Sequence, residues 1–155
     1  MSNDQKITTP EELLNMPENK YMNQAQLDFF TNLLKEQALE LETSIAQAKQ
    51  SLAESDQEID LNDVATKQEM QQLHLRTMER QTKLIKKVRK SLQLIQEGEY
   101  GYCLETGEPI GLKRLLARPT ATLSIQSKQA QEHQEKTIGA SDIKSYKNDD
   151  EDEAE

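Results

Sequence analysis

Eight apolar residues, Leu27, Phe30, Leu34, Ala38, Leu41, Ile45, Ala48 and Leu52, follow one another at intervals of 3, 4, 4, 3, 4, 3 and 4. Apart from one irregular step at Leu34, this is the heptad spacing of a helix that packs along a narrow stripe, and no Gly or Pro interrupts it. A second run without Gly or Pro extends from about Val64 to Glu97. Leu75, Met78, Ile85, Val88, Leu92 and Ile95 mark its apolar side, with Thr82 filling a gap, and Gly98 stands where a C-terminal cap is expected. The lysines and arginines at 80, 83, 86, 87, 89 and 90 sit in its C-terminal half, on the favourable side of the helix dipole. A short polar link, SDQEIDLND, joins the runs and predicts an antiparallel hairpin. About 30 residues per arm at roughly 1.5 Å each give a rod on the order of 45 Å long.

Composition agrees with a rod. Only 34% of the 155 residues are hydrophobic, 4% are aromatic and there is no Trp, which is little material for a large compact core. Six of the acids behind the formal charge of −9 lie in the last seven residues, Asp149–Glu155, so the rest of the chain is only weakly acidic. That dense acidic run is expected to repel itself and stay disordered as a solubilising tail. A net-acidic chain is a poor match for phosphate-driven DNA binding, so no direct DNA binding is expected and any nucleic-acid role should run through another protein. There is no apolar stretch near 18 residues, and the opening MSNDQKITTP is mostly polar. No membrane span or signal peptide is expected, and the cytoplasm is the expected location. A single cysteine excludes an internal disulfide framework.

The expected organisation has four parts. Residues 1–22, with Pro10 and Pro17, form a mobile arm with a short helical turn at Glu11–Asn15. The coiled coil covers 23–97, with its tip at about 58–65. Residues 98–138 form a small turn-rich module, which holds Gly98, Gly101, Gly107, Gly111, Pro109 and Pro119, and a C-terminal helix ended by Gly139. The acidic tail occupies 139–155.

The stretch Gly101–Ile110, GYCLETGEPI, reads as half of a zinc knuckle with a ligand missing. A C-x-x-C pair would place its second thiol at Thr106, and a further pair would fall on Ser124 and Ser127. A structural zinc site needs four ligands from Cys, His or carboxylate. Cys103, Thr106, Ser124 and Ser127 offer one thiol and three hydroxyls, and His74 and His133 stand in the wrong register to replace them. The expectation is a knuckle framework without its metal, held by hydroxyl hydrogen bonds and by Ile110, Leu112, Leu115 and Leu123.

Several stretches together resemble one family, the DksA-type bacterial RNA polymerase regulators. They are YMNQAQL at 21–27, DLNDVAT at 60–66, KLIKKVRKSL at 83–92, GEYGYC at 98–103 and PIGLKRLLARPTATL at 109–123. The resemblance implies a mainly α fold, in which a long antiparallel coiled-coil hairpin projects from a small globular zinc-finger-like module with a C-terminal helix. It implies a monomer that binds the secondary channel of RNA polymerase and carries its tip toward the active centre. Regulation of initiation, notably at stable RNA promoters, together with the alarmone ppGpp is also implied.

Residue by residue, the family's D-x-x-D-x-A tip pattern falls on Asp60, Asp63 and Ala65. Read without the family, two acids at a helix start are ordinary caps. With it, they act by contact and electrostatics on mobile polymerase elements. Leu61 stands where the family often has Pro, which leaves the tip less rigid. The family's ppGpp contacts fall on Arg80, Lys83, Leu84, Lys87, Arg118 and Lys128, with Arg76 a turn earlier on the same arm. Cations suit a polyphosphate there, although a solvated basic face is the plain alternative. Lys113 and Arg114 replace what is often an arginine pair. No zinc is expected as cofactor. Two other readings stand beside this one: a transcript-cleavage factor using the same channel, and a coiled-coil adaptor that does not act on polymerase. Nothing in the chain suggests an enzyme, since it has no nucleophile–base pair and no phosphate loop.

Overall fold

The computed structural model of the chain describes residues 6–55 and 64–149. Among them are helices α1 (Pro10–Leu14), α2 (Gln24–Ser55), α3 (Val64–Glu97), α4 (Leu112–Ala117) and α5 (Ile125–Asp149), with a 3-10 turn at Glu18–Lys20. The chain divides into two compact units. One runs to Tyr100 and takes in Leu112–Thr120; the other comprises Gly101–Gly111 and the chain from Ala121 onward. The turn-rich region is therefore shared between two units, where its composition suggests a single module.

In the first unit the arm is tied down. Thr9 caps α1 by accepting from Glu12 N (3.3 Å), and the Glu12 carboxylate accepts in return from the N–H groups of Thr9 (3.3 Å) and Thr8 (2.9 Å). This is a reciprocal capping box, and the backbone donors hold the Glu12 carboxyl below its ordinary value. Leu13 is fully buried and α1 packs against α4, so this part of the arm is docked in the unit. At the start of α2, Asn23 accepts from Gln26 N (2.9 Å) and Gln26 Oε1 accepts from Met22 N (2.8 Å). That second bond holds Met22 in the left-handed region, at φ 53°. The Gln26 amide also reaches Met16 Sδ at 3.6 Å, which satisfies a side chain with no exposed surface.

Helices α2 and α3 pack on each other in antiparallel sense. Phe30 meets Tyr100, Glu42 pairs with Arg89 and Ser44 with Gln81, so partners descend on α3 as positions rise on α2. All eight seam residues expected on α2 are buried or half-buried. The α3 seam differs from the expected one. It runs through Lys67, Gln71, His74, Met78, Gln81, Ile85, Val88, Leu92 and Ile95, an unbroken alternation of 4 and 3, with Thr77, Leu84, Ser91 and Leu94 also half-buried or buried, whereas Thr82 and Leu75 are exposed. The apolar pattern points to Leu75 and Thr82, and the helix turns the neighbouring His74 and Gln81 inward.

The core sits at the hairpin's root, where Leu13, Phe30, Leu34, Val88, Tyr100 and Leu115 are almost wholly buried. The rings of Phe30 and Tyr100 lie 5.5 Å apart, and the Tyr100 hydroxyl donates to the Pro119 carbonyl at 2.8 Å. Burial, with a smaller effect of Tyr21, holds the pKa of that phenol above its ordinary value. Gly98, at φ 76°, ends α3 as expected, and the N–H groups of Glu99 and Tyr100 cap the Leu94 carbonyl.

The second unit is built on a tight turn. Cys103 N donates to Glu108 O and Ile110 N to Gly101 O, both at 2.8 Å, flanking a Tyr102–Pro109 antiparallel bridge. Gly107 closes the loop at φ 73°, its N–H on the Cys103 carbonyl. Leu104 N then reaches Thr122 O at 2.9 Å and brings the start of α5 beside the turn. Helix α5 does not stop at Gly139 but continues to Asp149. A lone Gly costs a helix only about 1 kcal/mol relative to Ala, and Gly139 does not take the positive φ of a cap.

Candidate functional site

The four knuckle positions converge in the second unit. Cys103 is 2% exposed and its Sγ lies 3.4 Å from Ser127 Oγ, which is 3.1 Å from Ser124 Oγ. Two of the hydroxyl residues also have local roles. Ser124 caps α5 by accepting from Ser127 N at 3.2 Å, and Thr106 Oγ accepts from Glu108 N at 3.4 Å. The turn that would present ligands to a metal is thus closed by hydrogen bonds.

One thiol and three hydroxyls do not fit a structural zinc ion. A hydroxyl keeps its proton near neutral pH, so the set would bring one negative charge where four-thiol sites bring several. Among the described residues, no group of three or more His, Cys, Asp or Glu could hold a metal.

The same arrangement acts on the thiol. Burial raises the Cys103 pKa, but hydrogen bonds from the Ser127 and Thr106 side chains and from the Ser124 and Thr106 backbone outweigh it and bring it to about 6. A pKa below the unfolded value means that ionised Cys103 stabilises the fold fully above the unfolded pKa. The contribution declines as pH falls and is gone below about 6. An ultraviolet titration of the folded protein should show the thiolate appearing near 6, and Ser127→Ala should move that midpoint upward. An unmoved midpoint would show that Ser127 does not hold the thiolate.

The basic residues divide between the units. Arg80, Lys83, Leu84 and Lys87 share one exposed to half-exposed face of α3, with Arg76 one turn earlier, at the 4-3-4 spacing of a helical stripe. Lys83 is held by Glu79 at 3.1 Å across one turn, an exposed pair of small energetic weight. Arg118 lies in the first unit just past α4 and is exposed; its N–H continues the helix onto Arg114 O at 2.8 Å. Lys113, in α4, is also exposed. Lys128 belongs to the second unit, in the first turns of α5, where its ammonium donates to Gln131 Oε1 at 3.4 Å. Of the tip residues, Ala65 is exposed in the first turn of α3, and Asp60 and Asp63 lie outside the described residues.

Sequence reasoning missed Gln26 and Tyr100, which hold the root of the hairpin. The signal for Gln26 was available: Asn23 followed three residues later by Gln is a capping-box pattern.

Comparison with known proteins covers both units. Residues 26–95 match the family described as DnaK suppressor protein DksA, N-terminal domain, and residues 98–133 match the prokaryotic dksA/traR C4-type zinc finger. The chain is 42% identical over 119 residues to the RNA polymerase-binding transcription factor DksA of Caulobacter vibrioides, covering 75% of this chain and 82% of that protein. The protein of the same name from Escherichia coli K12 is 36% identical over 123 residues, covering 79% and 82%. Among solved structures, transcription factor DksA2 from Pseudomonas aeruginosa superposes with a TM-score of 0.77 at 44% identity. That match covers 83% of this chain and 99% of that one.

Proposed function

The chain belongs to the DksA family, and on that footing we propose that it is a transcription regulator that binds RNA polymerase. The observation that carries this reading is that the family match runs through the long hairpin and the knuckle together, residues 26–95 and 98–133, in a chain whose α2 and α3 pack as a hairpin. The relatives carry polymerase binding in their names, and a rod on the order of 45 Å suits a probe that enters a narrow channel. In this proposal the chain acts as a cytoplasmic monomer without touching DNA directly. It enters the secondary channel, and Asp60, Asp63 and Ala65 work on mobile elements near the active centre by contact and charge.

The exposed cations of the first unit support a second part of the proposal. Arg80, Lys83, Lys87 and Arg118, with Leu84, contact ppGpp held against polymerase. A polyphosphate needs several fixed positive charges, and three of these lie on one helix face. Single-round transcription from a ribosomal RNA promoter, with and without ppGpp, tests both parts. Inhibition that ppGpp strengthens is the expected result. Lys87→Ala should reduce the ppGpp increment by about tenfold, the worth of one charge-assisted contact, while leaving inhibition without ppGpp in place. Equal ppGpp response in wild type and Lys87→Ala would remove this residue from the nucleotide contact. Release of cleaved RNA from stalled complexes would instead mark a transcript-cleavage factor.

The knuckle is proposed to work without zinc, because hydroxyl hydrogen bonds and the cap of α5 close it. Metal analysis of the purified protein should find substoichiometric zinc, and regulation should survive a strong chelator. Stoichiometric zinc would overturn this.

A further inference from the structure

In the outer part of the α2–α3 pair, α3 turns polar residues toward α2 at several positions. Between Leu34 and the end of α2, and from Val64 to Leu84 on α3, no side chain described is fully buried. Helix α3 turns Gln71, His74 and Gln81 into half-buried seam positions while Leu73 and Leu75 stand 61% and 55% exposed. Gln81 donates to Ser44 Oγ at 2.7 Å, but its own carbonyl oxygen is buried with no partner, as is that of Gln37 on α2. A buried acceptor left without a donor is a standing cost to this arrangement.

A second seam lies beside the first. His74, Met78, Gln81 and Ile85 form the observed one; Leu75, Met78, Thr82 and Ile85 form another with the same two anchors. Positions 74 and 75 flank the direction of Met78, so turning the outer part of α3 by on the order of 50° exchanges them. The turn would bury Leu75, return the Gln81 amide to water and bring in Thr82. The Thr82 hydroxyl already donates to the Met78 carbonyl at 2.7 Å, so it stays satisfied whichever way it faces. The exchange needs two successive steps of three, Thr82–Ile85–Val88, which is the stammer that locally overwinds a coiled coil. Below it Ile85, Val88 and Leu94 are buried and hold the root in place.

We propose that the part of the hairpin between Leu34 and Ser55 on α2 and between Val64 and Leu84 on α3 is a two-state element. It switches between the observed seam and one that buries Leu75 and Thr82 in place of His74 and Gln81, and so rotates the start of α3. The consequence for polymerase rests on the functional reading above; the switch itself does not. It would let one rod present Ala65 and its neighbours in two orientations, and a partner could select one of them.

Both tests use the free chain of 155 residues, so their failure leaves polymerase binding untouched. Methyl relaxation dispersion should show microsecond-to-millisecond exchange at Leu75 and Met78 and none at Val88 or Leu94. Gln81→Leu, which removes the buried carbonyl oxygen and puts an apolar residue into the observed seam, should abolish that exchange. Flat profiles at Leu75 and Met78 in the wild type would overturn the proposal. In a Cys103→Ser background, Ser44→Cys is combined with Gln81→Cys or with Thr82→Cys. The second pair should oxidise within about a hundredfold of the first, as a minor state of a few per cent requires. Cross-linking of the first pair alone would also overturn it.

Discussion

Phe30→Ala is expected to lower the unfolding free energy by about 3–5 kcal/mol, the usual cost of removing a fully buried ring. The size follows from where the stability of this chain lies. Phe30 has no exposed surface and packs 5.5 Å from the rings of both Phe29 and Tyr100. Aromatic residues make up only 4% of the sequence, so few other side chains can fill the space. Among the described residues, the outer half of the hairpin has no fully buried side chain of its own to compensate. For a domain stable by about 5–15 kcal/mol, a loss of this size leaves a marginal fold. Urea unfolding followed by helical circular dichroism measures it. Leu39→Ala, at a residue 65% exposed on the same helix, should change stability by less than about 0.5 kcal/mol. Comparable losses from the two variants would show that the root is not the anchor.

The second large effect is on activity. Asp63→Asn should raise the concentration needed for half-maximal inhibition in single-round transcription by about tenfold or more. A hydrogen bond to a charged group is worth about 1.5–3 kcal/mol, and the substitution keeps the shape while removing the charge. If the carboxylate served only as a helix cap, Asn would replace it almost without loss, because the two residues cap about equally well. The substitution therefore separates the two roles of the aspartate. Unchanged inhibition with unchanged folding would return Asp63 to the status of a cap.

The candidate site was legible in the sequence to unequal degrees. The knuckle positions could be singled out because Cys103, Thr106, Ser124 and Ser127 stand at the spacing of two C-x-x-C pairs. What could not be read is which hydroxyl meets Cys103: Ser127 stands 24 positions away along the chain, and the turn and the start of α5 come together where Leu104 N reaches Thr122 O. The cations on α3 were visible as a stripe. Their separation from Lys128 into another unit was not, because the boundary falls inside the turn-rich stretch and returns Leu112–Thr120 to the first unit.

The sequence by itself determined the two long helices, their antiparallel pairing and the turn at Gly98. Those features follow from local rules: unbroken 3-4 spacing, absence of Gly and Pro, a link too short for parallel arms, and a backbone position that favours glycine. Tertiary structure alone decided that Leu13 docks the arm and that Gln26 and Tyr100 close the root. It also decided that His74 and Gln81, not Leu75 and Thr82, face α2. The two seams lie only on the order of 50° apart on the helix, and the apolar pattern along α3 favours the one that is not observed. The choice is made across the seam, where Ser44 gives Gln81 a partner and the buried root sets the angle at which α3 leaves it.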